Sequence, residues 1–378
     1  MAKRRNNNDG SIYMRKDGLW CAQVSLQGRR LTKYARTQSE CRAWIKEMMS
    51  RIKDGLTFEG AQTTLERFVA GWLKAKVLSR RSKTVLQYRQ IVKLHILPTM
   101  GQMKLQDIQP AHLRQLYDMK REEGRGARTI QLIHVTLHNM LKQAVREGIL
   151  SRNPADVVER PKVEQREMQI LISDQIQRFL DAASGSRFET FYFLALSTGM
   201  REGELLGLKW SDINWKESKL FVQRELQLIN GQGLIFLPPK TKAGVRMIQI
   251  GASTLRKLDE HRGQQEIQKS IAGERWQEND LLFTTKIGKP VDCNQVIKEF
   301  KHILKVAGLP NIRVHDLRHT SLSSLMNMGT PVNTVQRRAG HADPSTTVKV
   351  YGHATSQTQK KAAQKIESLI VPTILKLQ

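Results

Sequence analysis

The stretch Leu196-Ser197-Thr198-Gly199-Met200-Arg201-Glu202-Gly203-Glu204-Leu205 joins two helices of different character. Residues 191–196 are apolar and read as a buried helix. Gly199 breaks it, and Leu205, Leu206 and Leu208 mark an amphipathic helix beyond. Arg201 therefore falls near a helix N-terminus, where unpaired N–H groups and the helix dipole favour an anion. Glu204 follows one turn later, within reach of Arg201 or of another cation. A lone arginine in such a place usually makes a structural salt bridge. Its meaning depends on what lies downstream.

Two downstream segments carry unusual chemistry. In Val314-His315-Asp316-Leu317-Arg318-His319, residues 315 and 318 share one face of a helix. His315 and His319 have the spacing of a zinc pair, but no glutamate stands between them as in HExxH and no thiol is near. No metal is expected. The other segment is Ala339-Gly340-His341-Ala342-Asp343-Pro344-Ser345-Thr346-Thr347-Val348-Lys349-Val350-Tyr351. Gly340 ends a helix, Asp343 is a good N-cap and Pro344 a good first helical residue. Tyr351 then lies near the end of a short helix, ten residues after His341.

The charge points to the partner. Lys and Arg total 62 against 35 acidic residues, a formal +27. Such self-repulsion stabilises no fold and is tolerated where the partner is polyanionic, usually nucleic acid. Cys21, Cys41 and Cys293 form no CxxC pair, so neither a zinc finger nor a disulfide framework is supported. No apolar run approaches the ~20 residues of a membrane span, and the basic N-terminus lacks the apolar stretch of a secretory signal.

Working outward, the chain has three regions. Residues 11–15, 20–26 and 30–34 read as short strands separated by turns, followed by a helix over 39–53. Up to Arg36 this region holds nine basic residues, among them Arg4, Arg5, Arg15, Lys16, Arg29 and Arg30, against Asp9 and Asp17. A small sheet with a basic face can lie in a DNA major groove; a sheet whose charges face only water is the alternative. The second region is helical, with helices over 64–75, 82–96, 110–123 and 128–147, the second of them stopping at Pro98. They make a small bundle. Arg80, Arg81, Lys83, Arg125 and Arg128, near helix starts, are its candidate phosphate contacts, against a solvated face. Residues 159–167 read as an exposed linker, and the third region mixes helix and strand.

An arginine after a Ser-Thr-Gly turn, then His-x-Leu-Arg-His, then Gly-His, then a tyrosine resembles, in order and spacing, the tyrosine recombinase or phage integrase family. The resemblance covers residues 168–370. The two preceding regions resemble the arm-binding and core-binding domains of lambda-type and conjugative-transposon integrases. The implied layout is multidomain. A small three-stranded β plus helix arm-type domain (1–55) precedes an all-α helical core-binding domain (60–162). A mixed α+β, mainly α, catalytic domain with a C-terminal tail follows (168–378).

The resemblance also implies roles. Arg201 and Arg318 clamp the scissile phosphate, and His341 donates to it. His315 helps take the tyrosine proton or holds a phosphate oxygen, and Glu204 supports the site. Tyr351 attacks phosphorus, leaving a 3′-phosphotyrosine link and a free 5′-hydroxyl. A lysine beside a β-hairpin, Lys240 or Lys242, protonates the leaving oxygen, with Lys-Thr favouring Lys240. A free tyrosine has a pKa of about 10, so these cations suit its activation. The ester bond is conserved, so no cofactor is needed. The chain has no GxxxxGK[ST] loop.

The implied activity is site-specific recombination that integrates, and also excises, a phage or mobile element. A type IB topoisomerase-like enzyme and a non-cleaving DNA-bending protein are the alternatives. The implied partners are double-stranded DNA at core and arm sites, further copies of the chain in a tetramer, and an accessory excision factor or host DNA-bending protein. The expected location is the bacterial cytoplasm, at the nucleoid.

Overall fold

The computed structural model describes residues 10–26, 28–53, 62–79, 81–163, 168–343, 345, 364 and 366. The chain divides into two compact units, 1–165 and 166–378.

In the first unit, β1 (Ser11–Met14), β2 (Trp20–Leu26) and β3 (Arg29–Ala35) form an antiparallel sheet in that order. Alternation decides its faces. Val24, Leu26 and Leu31 pack against Trp44, Ile45 and Met48 of α1 (Gln38–Lys53). The opposite face carries the row Tyr13–Cys21–Tyr34, whose two tyrosines are exposed.

The rest of the unit is helical: α2 (Leu65–Ser79), α3 (Ser82–Ile91), α4 (Leu97–Met100), α5 (Pro110–Glu122) and α6 (Ala127–Arg146). The expected stop at Pro98 does not occur. A π-helical turn, Val92–Ile96, lets the Leu97 N–H reach Val92 O, and Pro98 then sits in the first turn of α4. A first-turn proline lacks only an N–H that would have had no partner, so the chain continues as helix. The amphipathic α6 buries Ile130, Ile133, Leu137 and Leu141 against the other helices. Each such side chain contributes about 1.5–3 kcal/mol through removal from water.

The second unit is mostly helical with two small sheets. After α7 (Ser173–Ala183), the apolar α8 (Glu189–Thr198) runs through the core, where Phe191, Tyr192 and Leu194 are fully buried. A helix apolar on all sides must be covered on all sides. Its neighbours include α7, α10 (Ala252–Ala272) and α12 (Val314–Asn327). Between them lie the five-residue α9 (Glu202–Leu206), β4 (Ile213–Asn214), β5 (Lys219–Val222), the hairpin β6 (Glu225–Ile229) and β7 (Gly233–Leu237), and β8 (Arg246–Gln249). The sheets run β4-β5-β8 and β6-β7. α11 (Cys293–Val306) and α13 (Val332–Ala339) are the unit's remaining α-helices among residues 168–343. Among the described residues, no helix is long and apolar enough to cross a membrane.

Candidate active site

α8 ends at Gly199, whose φ of +68° is the left-handed conformation that glycine adopts without strain. A Cβ there would also sit 3.0 Å from the Leu322 side chain. The turn delivers Arg201, in extended conformation, to the N-cap of α9. Its N–H donates to Glu204 Oε2 at 3.0 Å and its Nη1 to Oε1 at 2.7 Å. Arg201 keeps 34% of its side chain exposed, whereas Glu204 is 1% exposed. Burial alone would raise the Glu204 pKa; hydrogen bonds and charge from Arg246, and then Arg201, outweigh it and hold the carboxyl below its ordinary value.

Arg318 comes from the first turns of α12 and is among the largest fully buried side chains. Its Nη1 donates to Gly199 O at 2.7 Å and its Nη2 to Ala339 O at 2.6 Å. These carbonyls end α8 and α13, where main-chain oxygens lack helical partners. Nη2 also lies 3.0 Å from His341 Nε2. A guanidinium only donates, so Nε2 is the acceptor and the ring proton sits on Nδ1. His341 follows Gly340, which ends α13 in the left-handed conformation with φ +66°.

Burial, then the charges of Arg318, Arg201 and Arg246, lowers the His341 pKa to about 4. His315 also falls to about 4, through desolvation first and then His319 and Arg318. It is nevertheless open to solvent on one side. Its ring meets that of His319 edge-on, with centroids 4.8 Å apart. His315 and His341 are thus neutral at pH 7. Among the described residues, no three His, Cys, Asp or Glu side chains form a group that could hold a metal.

Arg201, Glu204, His315, Arg318 and His341 are brought together from three distant segments. Lys240 and Lys242 are exposed, in the connection between β7 and β8 rather than on the hairpin strands. Lys242 opens a tight turn, Lys242–Gly244. That turn lies against the end of α13: a Cβ on Gly340 would be 3.0 Å from Ala243 O. Tyr351 lies outside the described residues. Asp343 accepts from the Ser345 N–H at 2.9 Å, as an N-cap does.

Sequence reasoning missed two arginines. Arg246 starts β8 and shares the inward side of that strand with Ile248. Its head group pairs with Glu204 and donates from Nε to Arg338 O at 2.7 Å. Arg338 donates to Ser197 O at 2.7 Å and Gln249 O at 3.0 Å. The available signal was a charge alternating in phase with a buried isoleucine, which demands a partner.

In the first unit, Lys16, Arg29, Arg30, Lys83, Arg125 and Arg128 are exposed and Arg81 is half-buried. Arg15 pairs with Asp17 at 3.1 Å and lies over the Tyr34 ring, 4.6 Å from its centre. Arg125 stands 3.7 Å from Glu123, and Arg128 donates to Gln131 at 2.5 Å. Arg4, Arg5 and Arg80 lie outside the described residues.

Comparison with known proteins identifies the family. The phage integrase family model matches residues 169–358, and the N-terminal SAM-like domain of phage integrases matches residues 64–120. A XerC-like tyrosine recombinase of Caldanaerobacter subterraneus is 30% identical over 357 residues, covering 89% of this chain and 91% of its own. The ICEBs1 integrase of Bacillus subtilis is 30% identical over 269 residues, covering 70% and 73%. Among solved structures, the Tn1549 transposon integrase in complex with transposon right end DNA has a TM-score of 0.69 at 19% identity, covering 80% of this chain and 99% of its own. A lambda integrase tetramer bound to a Holliday junction has a TM-score of 0.57 at 21% identity, covering 93% and 99%. Neither the topoisomerase-like nor the non-cleaving alternative is favoured by these likenesses. The chain belongs to the phage integrase family and is a tyrosine recombinase, an enzyme of site-specific DNA recombination.

Proposed function

We propose that this recombinase integrates and excises a phage or mobile element through a 3′-phosphotyrosine intermediate formed on Tyr351. The observation that carries the reading is the convergence of Arg318, His341 and the Arg201–Glu204 pair. Two guanidinium forks donate to the non-bridging oxygens of the scissile phosphate and stabilise the charge of the pentacoordinate transition state. His341 donates to the same phosphate. His315, neutral at pH 7, takes the tyrosine proton or holds a phosphate oxygen. Lys240, or else Lys242, gives the leaving 5′-oxygen its proton. Rejoining is the same displacement in reverse, so the ester bond energy is kept and no cofactor is required.

Residues 1–55 act as an arm-type DNA-binding domain, with Arg4, Arg5, Arg15, Lys16, Arg29 and Arg30 toward phosphates. Residues 60–162 bind the core site, using Arg80, Arg81, Lys83, Arg125 and Arg128, and residues 168–378 catalyse. The basic excess supports a DNA partner. The lambda integrase tetramer on a Holliday junction supports assembly of four copies on two duplexes. An excision factor or host DNA-bending protein assists, and the bacterial cytoplasm is the working compartment.

The test is a nicked suicide duplex carrying the core site, on which the released fragment cannot rejoin. The protein as it stands should form a covalent adduct, and Tyr351→Phe should form none. Normal DNA binding without an adduct from the starting protein would falsify the proposal.

A further inference from the structure

Arg246 does not belong to the set of residues that sequence motifs single out, yet its head group makes four hydrogen bonds at the site. Its Nη1 and Nη2 donate to the two oxygens of Glu204 at 3.2 and 2.9 Å. Nη1 also donates to Gly244 O at 3.0 Å, and Nε to Arg338 O at 2.7 Å. Only 6% of the side chain is exposed. One planar head group therefore touches α9, the turn after Lys240 and the last turn of α13. Glu204 passes the constraint on, because the same carboxylate receives the N–H and Nη1 of Arg201. The space is closed as well: a Cβ on Gly340 would lie 2.9 Å from Arg246 Nη1.

We infer that Arg246 is a positioning residue for strand cleavage, fixing the Glu204 carboxylate and, through it, the direction in which Arg201 presents its fork to the scissile phosphate. The inference rests on the phosphate-clamp role proposed for Arg201. Arg201, itself one third exposed, touches both oxygens of the carboxylate from its own helix end only. Bidentate pairing from the buried Arg246 anchors that carboxylate to β8 as well. Lysine at position 246 would keep the charge but offer a point donor in place of the fork. Arg201 would then retain its partner but lose its aim, and a misplacement of about 1 Å costs on the order of 100-fold in rate.

The experiment measures single-turnover adduct formation on the nicked core duplex, with DNA affinity read separately by gel shift. Arg246→Lys should bind within about threefold of the starting protein and cleave about 100-fold more slowly. A second substrate replaces one non-bridging oxygen of the scissile phosphate by methyl, which removes the charge that Arg201 has to meet. On it the Arg246→Lys defect should shrink to within about tenfold, as it should for Arg201→Lys. A third substrate has sulfur as the bridging 5′ atom, a leaving group that needs no proton, and should restore nothing. Restoration by sulfur instead would move Arg246 to the lysine loop and overturn the route through Arg201. An undiminished defect on the methyl substrate would overturn it too.

A double-mutant comparison tests the same route where folding is a concern. Glu204→Gln with Arg246→Lys should be no slower than Glu204→Gln alone, because both changes break one chain of contacts. Additive losses would sink the inference. Absence of any adduct from the starting protein would instead sink the functional reading itself.

Discussion

Arg318 Nη2 and His341 Nε2 stand 3.0 Å apart, so a buried cation and a neutral imidazole share one face of the site. The pairing fixes the histidine's tautomer. It also makes Arg318 structural and electrostatic at once, since the same head group holds Gly199 O and Ala339 O.

Arg318→Lys should therefore separate the two roles. A lysine keeps the charge but cannot span both carbonyls. Cleavage should fall by about 100- to 1000-fold, with core-site binding within a few-fold. Arg318→Ala orphans two main-chain oxygens and should in addition destabilise the second unit by about 2–4 kcal/mol. Urea unfolding beside the adduct assay distinguishes them; equal stability of the alanine variant would refute the carbonyl role.

Acid should unfold the DNA-free protein through its histidines. His315 and His341 protonate near 6.5 when unfolded but only at about 4 when folded. Between those values the unfolded chain binds more protons, so stability is full above about pH 6.5 and falls as pH drops toward 4. His341→Gln should flatten part of that decline. Urea midpoints from about pH 7 to pH 4 give the slope, and identical slopes in both proteins would contradict the prediction.

Gly340→Ala combines two penalties that Gly185→Ala does not. Both glycines have positive φ, +66° and +72°, but only at Gly340 would the Cβ meet other groups, Arg246 and Ala243 O. The left-handed conformation alone costs an alanine about 1–2 kcal/mol. Gly340→Ala should lower the melting temperature by several degrees more than Gly185→Ala. Matching melting curves would show that Arg246 and the 242–244 turn yield freely.

Lys240→Ala should slow cleavage strongly and recover on the duplex with a 5′-bridging sulfur, whose leaving group needs no acid. Lys242→Ala should change little. Recovery confined to Lys242→Ala would exchange their roles.

Binding to DNA should weaken steeply with salt, because each neutralised phosphate releases counterions. Removal of residues 1–55 should weaken binding to distal arm sites and spare cleavage at the core. A flat salt response, or equal loss of both activities, would count against the proposed division of labour.

Much of this was legible before any coordinates. Gly199 and Gly340 announced helix ends, and both adopt the left-handed turn. His315 and Arg318 were three apart on a helix, and the fold brings both to the site of Arg201. Pro98 misled, because the π turn at 92–96 is a matter of hydrogen-bond register that residue propensities do not encode. Arg246 was overlooked because its partners, Glu204 and Arg338, lie 42 and 92 residues away. Local spacing carries no trace of such pairings.

The arginines of this site lean heavily on main-chain oxygens: Arg318 on residues 199 and 339, Arg338 on 197 and 249, Arg246 on 244 and 338. Every amino acid carries that acceptor. The scaffold around these arginines therefore depends on the path of the backbone more than on which side chains line it. Where no Cβ clash arises, as at residues 197, 249 and 339, a side chain can change without removing the acceptor. In a redesign, loop insertions that bend the ends of α8, α13 and β8 or the turn at 242–244 would do more harm than exchanges of side chain along them.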